Sequence, residues 1–488
     1  MSTAFGSINT NVSALSALNS LGSTNQTITG LENQLSTGLS INSPANNPAG
    51  YTIAQGFTTQ INGSNQGISN ANQAVSLLQT ATGALGQQTN ILQNVRTIAV
   101  QAANGSNTSA DLASLQSTVG QLVAQVSTIA QQTQFNGISL LNGSFAGVQF
   151  QVGANQGQVI DASVGSTAAT NLGVYQTAAA SGTYSGGSTT GGNSYVISSS
   201  GAFTSGSMSI LGSVGSGSVT VSSSGESAAS VAASVNNVSN LTGVNAQAYT
   251  SVAFNVTSTG DISFSLGNGT NSGQTNAVNI SASVTGDTAA GLSSLVQSVN
   301  NNTSTTGIAA SVNTSNQLVL TDVNGNNVSI ANFSGTVSLG AGATTLASGG
   351  STGATVQGLV SFQSANAFTV SGGSNVGVTS GSTLTNLTQV NVGTQQGASN
   401  AITIISYALQ QLNQQGTQLG AVQQRVQSAL SNLQTTATND QAAQSVIQDA
   451  NIPQVSTNLT QAQILQQAGI GALSASSQTQ QAYLKLIP

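Results

Sequence analysis

The sequence contains no cysteine, no histidine and no tryptophan, and only three cations among 488 residues. Each absence removes a class of chemistry. Without Cys there is no disulfide framework, thiolate nucleophile or Fe–S ligand set, and the redox compartment stays open. Without His, Ser-His-Asp triads and His-Glu-x-x-His zinc sites are excluded. A Walker-type Gly-Lys-Ser/Thr loop cannot form, because the only Lys is Lys485. Gly340-Ala341-Gly342-Ala343-Thr344 loosely matches a dinucleotide loop but lacks its completing Gly and a βαβ frame. Arg96, Arg425 and Lys485 are scattered, whereas phosphate binding needs several cations on one face, so nucleic acid is excluded as a partner. The same scatter removes a polybasic membrane patch. No run of about 20 apolar residues is present to span a bilayer.

Charge is scarce in both signs. Charged residues make up 2% of the chain, against roughly 25% in ordinary soluble proteins. Such a neutral surface gives little repulsion between copies and favours association. A disordered polar stalk normally relies on high net charge or on Pro, and Pro occurs four times here. Hydrophobic residues reach 38% and aromatics 4%, so cores must be aliphatic, and the length suits two to four domains. The start, Met1-Ser2-Thr3-Ala4-Phe5-Gly6, lacks the basic and apolar stretches of a cleaved signal. Export without a cleavable signal peptide is therefore expected if the protein is extracellular.

What is present separates by period. Ile8, Val12, Leu15 and Leu18, then Ile28, Leu31, Leu35 and Leu39, recur at spacings of three and four, which places them on helical stripes. Pro44 and Pro48 break that helix, since Pro lacks an N–H and restricts its predecessor. Helical spacing resumes through Ala71, Val75, Leu78, Leu85, Leu92, Val95, Ala99 and Ala102. After the turn Asn104-Gly105-Ser106-Asn107 it continues through Leu112, Leu115, Val119, Leu122, Val126 and Ile129. The far end mirrors this: Ile402, Ile405, Leu409, Leu412, Leu419, Val426 and Leu433, a break at Pro453, then Val455, Leu459, Ala462, Leu465, Ala468 and Leu473. Sustained 3–4 spacing favours coiled-coil packing, and with Gln, Asn, Ser and Thr flanking it, specificity must come from seam packing and amide hydrogen bonds.

Between about 171 and 394, alternating runs such as Ser218–Val221, Ala253–Val256 and Leu318–Thr321 read as strands. An internal repeat lies here. Gly225-Glu226-Ser227-Ala228-Ala229, Val235-Asn236-Asn237 and Thr242-Gly243-Val244 return as Gly286-Asp287-Thr288-Ala289-Ala290, Val299-Asn300-Asn301 and Thr306-Gly307-Ile308. Each copy reads strand, short helix, then a strand pair, over about 218–265 and 278–330. Asp440 and Asp449 read as solvated helix positions rather than an acid–base pair. The chain is read as a structural protein: no catalysis, no cofactor and no metal is expected.

The helical ends resemble bacterial flagellin. Leu39-Ser40-Ile41-Asn42-Ser43 through Pro48-Ala49-Gly50 looks like the family's GLRINSAxDDAAG segment. Leu92 through Gly105 is similar to LQRVRELxVQAANG, Gln134-Phe135-Asn136-Gly137 with Leu140-Leu141 to TQFNGxxLL, and Phe150 through Asn155 to FQVGAN. Leu419 through Arg425 and Ala462 through Gly469 look like LGAxQNRF and AQILQQAG. The likeness covers roughly 1–170 and 395–488. It implies a multi-domain α+β subunit whose two ends pair as a coiled-coil D0/D1 core, with a β-rich outer insertion. D0 would comprise 1–45 and 452–488, D1 46–170 and 395–451, and the variable outer part 171–394. The repeat resembles a small motif inserted in some flagellins' variable regions.

That resemblance implies a D0 assembly seam of Ile8, Val12, Leu15, Leu31, Leu35, Val455, Leu459, Leu465 and Leu473. The D1 seam would be Val75, Leu78, Leu85, Leu92, Val95, Leu115, Val119, Leu122, Val126, Ile402, Ile405, Leu409, Leu412, Leu419 and Val426. Pro44, Pro48 and Pro453 fall at the expected spoke breaks. The implied partners are further copies in a helical filament, an export chaperone and the flagellar type III apparatus, and hook-associated and cap proteins. The implied place is the extracellular flagellum. A hook–filament junction protein and a cell-surface adhesin are the alternatives.

Departures from the family carry their own expectations. Ser40, Pro44-Ala45 and Asn46-Asn47 stand where the family has Arg, Lys and paired Asp. Loss of titratable groups is expected to make the filament acid-tolerant, because Gln, Asn, Ser and Thr do not ionise near pH 4. The segment that faces the vertebrate innate receptor, Leu92, Asn94, Arg96 and Thr97, has lost a family Arg and Glu, which predicts weak recognition. Sequons at Asn237, Asn255 and Asn332 are mostly chance in a chain rich in Asn, Ser and Thr, while O-linked glycans on the outer part follow from the family.

Overall fold

The computed structural model describes residues 11–177, 185–187, 194–198, 203–222, 226–270, 273–313, 315–336, 338–341, 344–346, 353–378 and 380–485. Ile8, Gly225, Gly342 and Ala343 lie outside the described residues. The described residues form nine α-helices: α1 Val12–Thr37, α2 Pro48–Ala102, α3 Ser109–Gln132, α4 Ala228–Asn237, α5 Ser239–Thr242, α6 Ser293–Asn300, α7 Thr303–Thr306, α8 Gln395–Gln448 and α9 Ile452–Lys485. The chain divides into two compact units, one of 1–80, 146–163 and 418–488, the other of 81–145 and 164–417.

Local chemistry sets the helix ends of the first unit. Asn11 caps α1, its side-chain oxygen accepting from Ala14 N at 2.8 Å, and Gly38 closes it in the left-handed region at φ 73, where Gly carries no Cβ penalty. Pro48 opens α2 at a position whose N–H would have no intrahelical partner, and Asn47 Oδ1 accepts from Gly50 N at 2.9 Å. The side chain of Asn46 accepts from Ser43 N at 2.9 Å and Ser43 Oγ at 2.9 Å, and more weakly from Asn42 N at 3.2 Å. Neutral carboxamides thus perform the capping that Asp would perform equally well at neutral pH.

Helices α1 and α9 pack antiparallel. Asn11 Nδ2 donates to Ser476 Oγ at 3.1 Å, Gln466 Nε2 to Asn25 Oδ1 at 2.6 Å, and a Cβ on Gly469 would touch Leu21 Cδ1 at 3.6 Å. The more shielded positions of α1 are Ala14, Ala17, Leu21, Thr24, Ile28 and Leu31; those of α9 are Val455, Leu459, Ala462, Gln466, Gly469 and Leu473. Both sets follow alternating steps of three and four, the heptad seam of a coiled coil.

The two helix breaks lie side by side. Leu39 and Asp449 form an antiparallel β-bridge, with Ser40 N donating to Gln448 O at 2.7 Å and Ala450 N to Gly38 O at 2.8 Å. Further along, the hairpin Val148–Gln151 with Val159–Ala162 sits on α2. A Cβ at Gly63 would stand 2.6 Å from Ala154 Cβ, so Gly there permits the FQVGAN turn to touch the helix backbone. Asn70 Nδ2 then donates to Gln151 O at 3.0 Å.

In the second unit, α3 begins with a capping box in which Thr108 and Asp111 satisfy each other's backbone N–H groups. Between α3 and α8 this unit is β-rich and holds two apolar cores, and both are built around Phe where the low aromatic content predicted aliphatic packing. One gathers Val252, Phe254, Phe264, Leu266, Leu295, Leu318 and Ile330, with Phe264 stacked on Phe333 at 6.1 Å between ring centroids. The other gathers Phe203, Met208, Val231, Val235, Val360 and Phe362.

Within that part the repeated sequence becomes repeated structure. The first copy runs strand Ser216–Val221, α4, α5, strands Asn245–Val256 and Gly260–Thr270; the second runs strand Gly273–Val284, α6, α7, strands Ile308–Val312 and Leu318–Asp322. Equivalent side chains make equivalent bonds. Asn236 brackets Ala246, accepting from its N–H at 2.7 Å and donating to its carbonyl at 3.1 Å, and Asn300 does the same at Ala310 at 2.7 and 2.9 Å. Gly243 and Gly307 end the short helices at φ 72 and 73. Strand Leu318–Asp322 contains the run read from alternation, and Leu339–Ala341 takes in Gly340 and Ala341 of the glycine-rich stretch as ordinary strand.

Candidate assembly interface

Apolar residues of α1 and α9 divide between two faces. Leu31, Val455, Leu459 and Leu473 belong to the shielded seam, whereas Val12, Leu15, Leu35 and Leu465 point outward. Val12 is 71% exposed, Leu15 56% and Leu465 55%. Leu18, Ile464 and Ile470 are exposed with them. Glu32 is the only charge in α1, and Lys485 the only charge in α9. A helix pair with one charge on each helix that leaves this many aliphatic side chains in water is built to be covered. Covering one Leu or Ile completely contributes about 1.5–3 kcal/mol, while an exposed ion pair contributes about 0.2–1 kcal/mol.

Ile464, Ile470 and Val446, which is 87% exposed, were not among the sequence-predicted seam residues. Their signal was available: each is a large aliphatic standing off the heptad seam on a helix nearly devoid of charge.

The residues expected in the D1 seam are mostly deep inside. In the second unit, Leu85, Leu92, Val95, Val119, Val126, Ile405 and Leu412 are buried, and Leu115, Leu122, Ile402 and Leu409 are half-buried. In the first unit, Leu78, Leu419 and Val426 are buried and Val75 is half-buried. Leu92 is completely enclosed. Leu92→Ala is expected to cost about 2–5 kcal/mol, read as a drop in the urea midpoint of monomeric protein.

Amides do the polar joining. Gln88 is fully buried, and its Nε2 donates to Val126 O at 2.9 Å and, weakly, to Thr167 O at 3.4 Å. Gln116 takes Val392 N on its Oε1 at 2.6 Å and donates to Val390 O at 3.2 Å. Gln411 Oε1 accepts from Gly173 N at 2.9 Å while its Nε2 donates to Ala365 O. In the first unit, Gln444 Nε2 donates to Thr58 Oγ1 at 2.8 Å and Gln448 Nε2 to Ile41 O at 3.3 Å. None of these bonds depends on an ionised group.

Pro44 is exposed in the break after α1, Pro48 is the first residue of α2, and Pro453 is the second residue of α9. Asp449 is exposed and receives a hydrogen bond from Ser445 Oγ. Asp440 corrects its sequence reading: it is half-buried, and its Oδ2 is shielded without a hydrogen-bond partner. A helix position four residues before Gln444 faces the side that packs, which single-sequence polarity does not reveal. Of the residues expected to face the innate receptor, Asn94, Arg96 and Thr97 are exposed and Leu92 is not.

Comparison with known proteins bears on what this interface serves. The model of the bacterial flagellin N-terminal helical region matches residues 8–146, and that of the C-terminal helical region matches 402–487. A B-type flagellin of Pseudomonas aeruginosa is 32% identical over 502 residues, covering 98% of this chain and 99% of that one. The chain belongs to the bacterial flagellin family. Flagellin A of Helicobacter pylori is 30% identical and flagellin B of Vibrio cholerae 28%, each over 98% of this flagellin and 99% of the relative. The exposed aliphatic face of this flagellin therefore lies inside the regions that both family models describe.

Proposed function

We propose that this flagellin polymerises into the extracellular flagellar filament through the outward aliphatic face of α1 and α9. The observation that carries the reading is that face: Val12, Leu15, Leu18, Leu35, Ile464, Leu465 and Ile470 are exposed on helices that carry almost no charge. On this reading 1–45 with 452–488 form an inner layer, 46–170 with 395–451 surround it, and 171–394 project outward. Purified monomer seeded at high concentration should give long tubular filaments in electron micrographs. Persistently monomeric protein under those conditions would refute the reading.

The finer points rest on the family likeness. Subunits would pass through the flagellar type III channel with an export chaperone on the C-terminal helices, and would fold beneath a cap. Filament growth would begin on hook-associated proteins. Swimming motility follows from the polymer rather than from any chemistry of the chain.

The filament is further proposed to withstand acid. Asn46 and Asn47 cap where a carboxylate would lose its charge, and Gln116, Gln411, Gln444 and Gln448 join segments with groups that do not titrate.

Recognition by the vertebrate innate receptor should be weak. Leu92 is enclosed, and Asn94 and Thr97 present short neutral groups where the family presents Arg and Glu. A reporter-cell assay with monomer is expected to give little signal at concentrations that saturate it with an ordinary flagellin; full potency would overturn this.

A further inference from the structure

The second unit contains a cleft that assembly does not explain. Strands Asn245–Val256, Leu359–Ser364, Gly173–Gln176 and Thr383–Asn386 are hydrogen-bonded neighbours in one sheet. One face of this sheet is core, with Ala248, Val360 and Phe362 buried and Ala246 packed beside them. Because side chains alternate along a strand, the other face carries Gln247, Tyr249, Ser361, Gln363 and Gln176. The first turns of α8, with Gln396, Asn400 and Thr403, stand over this face and enclose about 580 Å3. That volume lies within the range of about 300–1,000 Å3 usual for small-molecule sites.

The lining selects by chemistry. Seven of its fifteen residues are Asn or Gln, and none is charged. An ionic ligand would find no counter-charge, and an apolar one would cover these amides, most of them open to water, without giving them partners, which is costly. The floor is already ordered: Gln363 Nε2 reaches Gln247 Oε1 at 3.3 Å, and Gln176 Nε2 donates to Thr385 Oγ1 at 2.8 Å. Each carboxamide offers both donors and acceptors, so Gln247 keeps capacity of both kinds after that bond. Tyr249 lies opposite Leu359 across the strand pair, and Gln247 opposite Ser361. An aromatic ring and a Leu side chain thus adjoin a row of mixed donors and acceptors.

We propose that this cleft binds a neutral saccharide. Sugar hydroxyls donate and accept together, as the amides require, and the C–H face of a pyranose ring can lie on Tyr249 and Leu359. The neutral lining discriminates against uronic acids and phosphosugars, which would be desolvated without a cation to meet them.

The test is saturation-transfer NMR on full-length monomer with neutral trisaccharides of N-acetylglucosamine and of mannose, and a galacturonic acid trimer as the charged control. At least one neutral trimer should bind with Kd on the order of 1 mM, and the charged trimer at least about tenfold more weakly. Tyr249→Ala should weaken the neutral trimer at least about tenfold, and Tyr249→Phe, which keeps the ring, should leave it within about threefold. Far-UV circular dichroism of both variants confirms the fold. No transfer from either neutral trimer, equal binding of the charged one, or binding unchanged in Tyr249→Ala would overturn the proposal. Sedimentation of assembled filaments with insoluble chitin or mannan then separates the sources. Co-pelleting assigns a surface polysaccharide, and trisaccharide binding without co-pelleting assigns a free sugar.

Discussion

Replacing Leu15 and Leu465 together by Asn should raise the concentration of monomer left at the end of polymerisation by at least about a hundredfold. Both side chains are more than half exposed in the isolated chain, so neither supports its fold, and the urea midpoint of the monomer should not move. Each Leu covered by a neighbouring copy contributes about 1.5–3 kcal/mol, and every 1.4 kcal/mol is about tenfold in an equilibrium. Asn adds no charge, so a loss of assembly would report lost apolar burial rather than new repulsion. Leu31→Asn or Leu459→Asn is a different experiment. Those residues sit in the seam between α1 and α9, and their replacement should loosen the helix pair itself.

Filaments held for hours at pH 3 should remain sedimentable to within about a tenth of their pH 7 amount, while an ordinary charged flagellin under the same treatment disassembles. Protonating all nine Asp and Glu moves the formal charge from −6 to +3, since three Lys and Arg remain. A chain of this length with ordinary composition would be left with roughly sixty uncompensated cations, half of its usual 25% of charged residues. Self-repulsion on acidification is therefore minor here. One pH-linked cap does persist. Thr108 Oγ1 donates to Asp111 Oδ2 at 2.7 Å, and Thr108 N donates to it at 3.0 Å, which holds that carboxyl below its ordinary value. A group with a lowered folded pKa stabilises above its ordinary value and loses that contribution as pH falls through the folded one. The start of α3 is accordingly a place where acid should loosen the fold, seen as faster amide exchange near Ser109 once Asp111 is protonated.

The helices were legible because their apolar residues recur at three and four, and the break after α1 because Pro44 and Pro48 interrupt that spacing; the end of α1 at Gly38 and the caps at Asn11 and Asn47 are local backbone effects that apolar spacing does not mark. The duplicated motif was legible because Asn236 and Asn300, and Gly243 and Gly307, hold the same local geometry. The beginning of α2 was harder to read. Gly50, Gly56, Gly63 and Gly67 weaken its periodicity, and at Gly63 the reason is a contact with Ala154 that is distant in sequence. Which aliphatic stripe faces the paired helix was also hidden. Val12 and Leu15 share their spacing with Ala14, Ala17 and Leu21, and with so few charges no polar face marks the outside. The cleft at Tyr249 was invisible for a related reason, since its lining converges from four strands and the start of α8.

The central claim is that copies are held by apolar and amide contacts rather than by ion pairs, and ionic strength separates these directly. Screening weakens exposed charge pairs, with a Debye length of about 3 Å at 1 M salt, while excluded salts such as sulfate strengthen apolar burial. Residual monomer should be measured by sedimentation at about 0.05 M and about 1 M ionic strength in sodium chloride, which screens charge without the strong exclusion of sulfate. The account predicts that it stays equal or falls at the higher salt. A severalfold rise would contradict it.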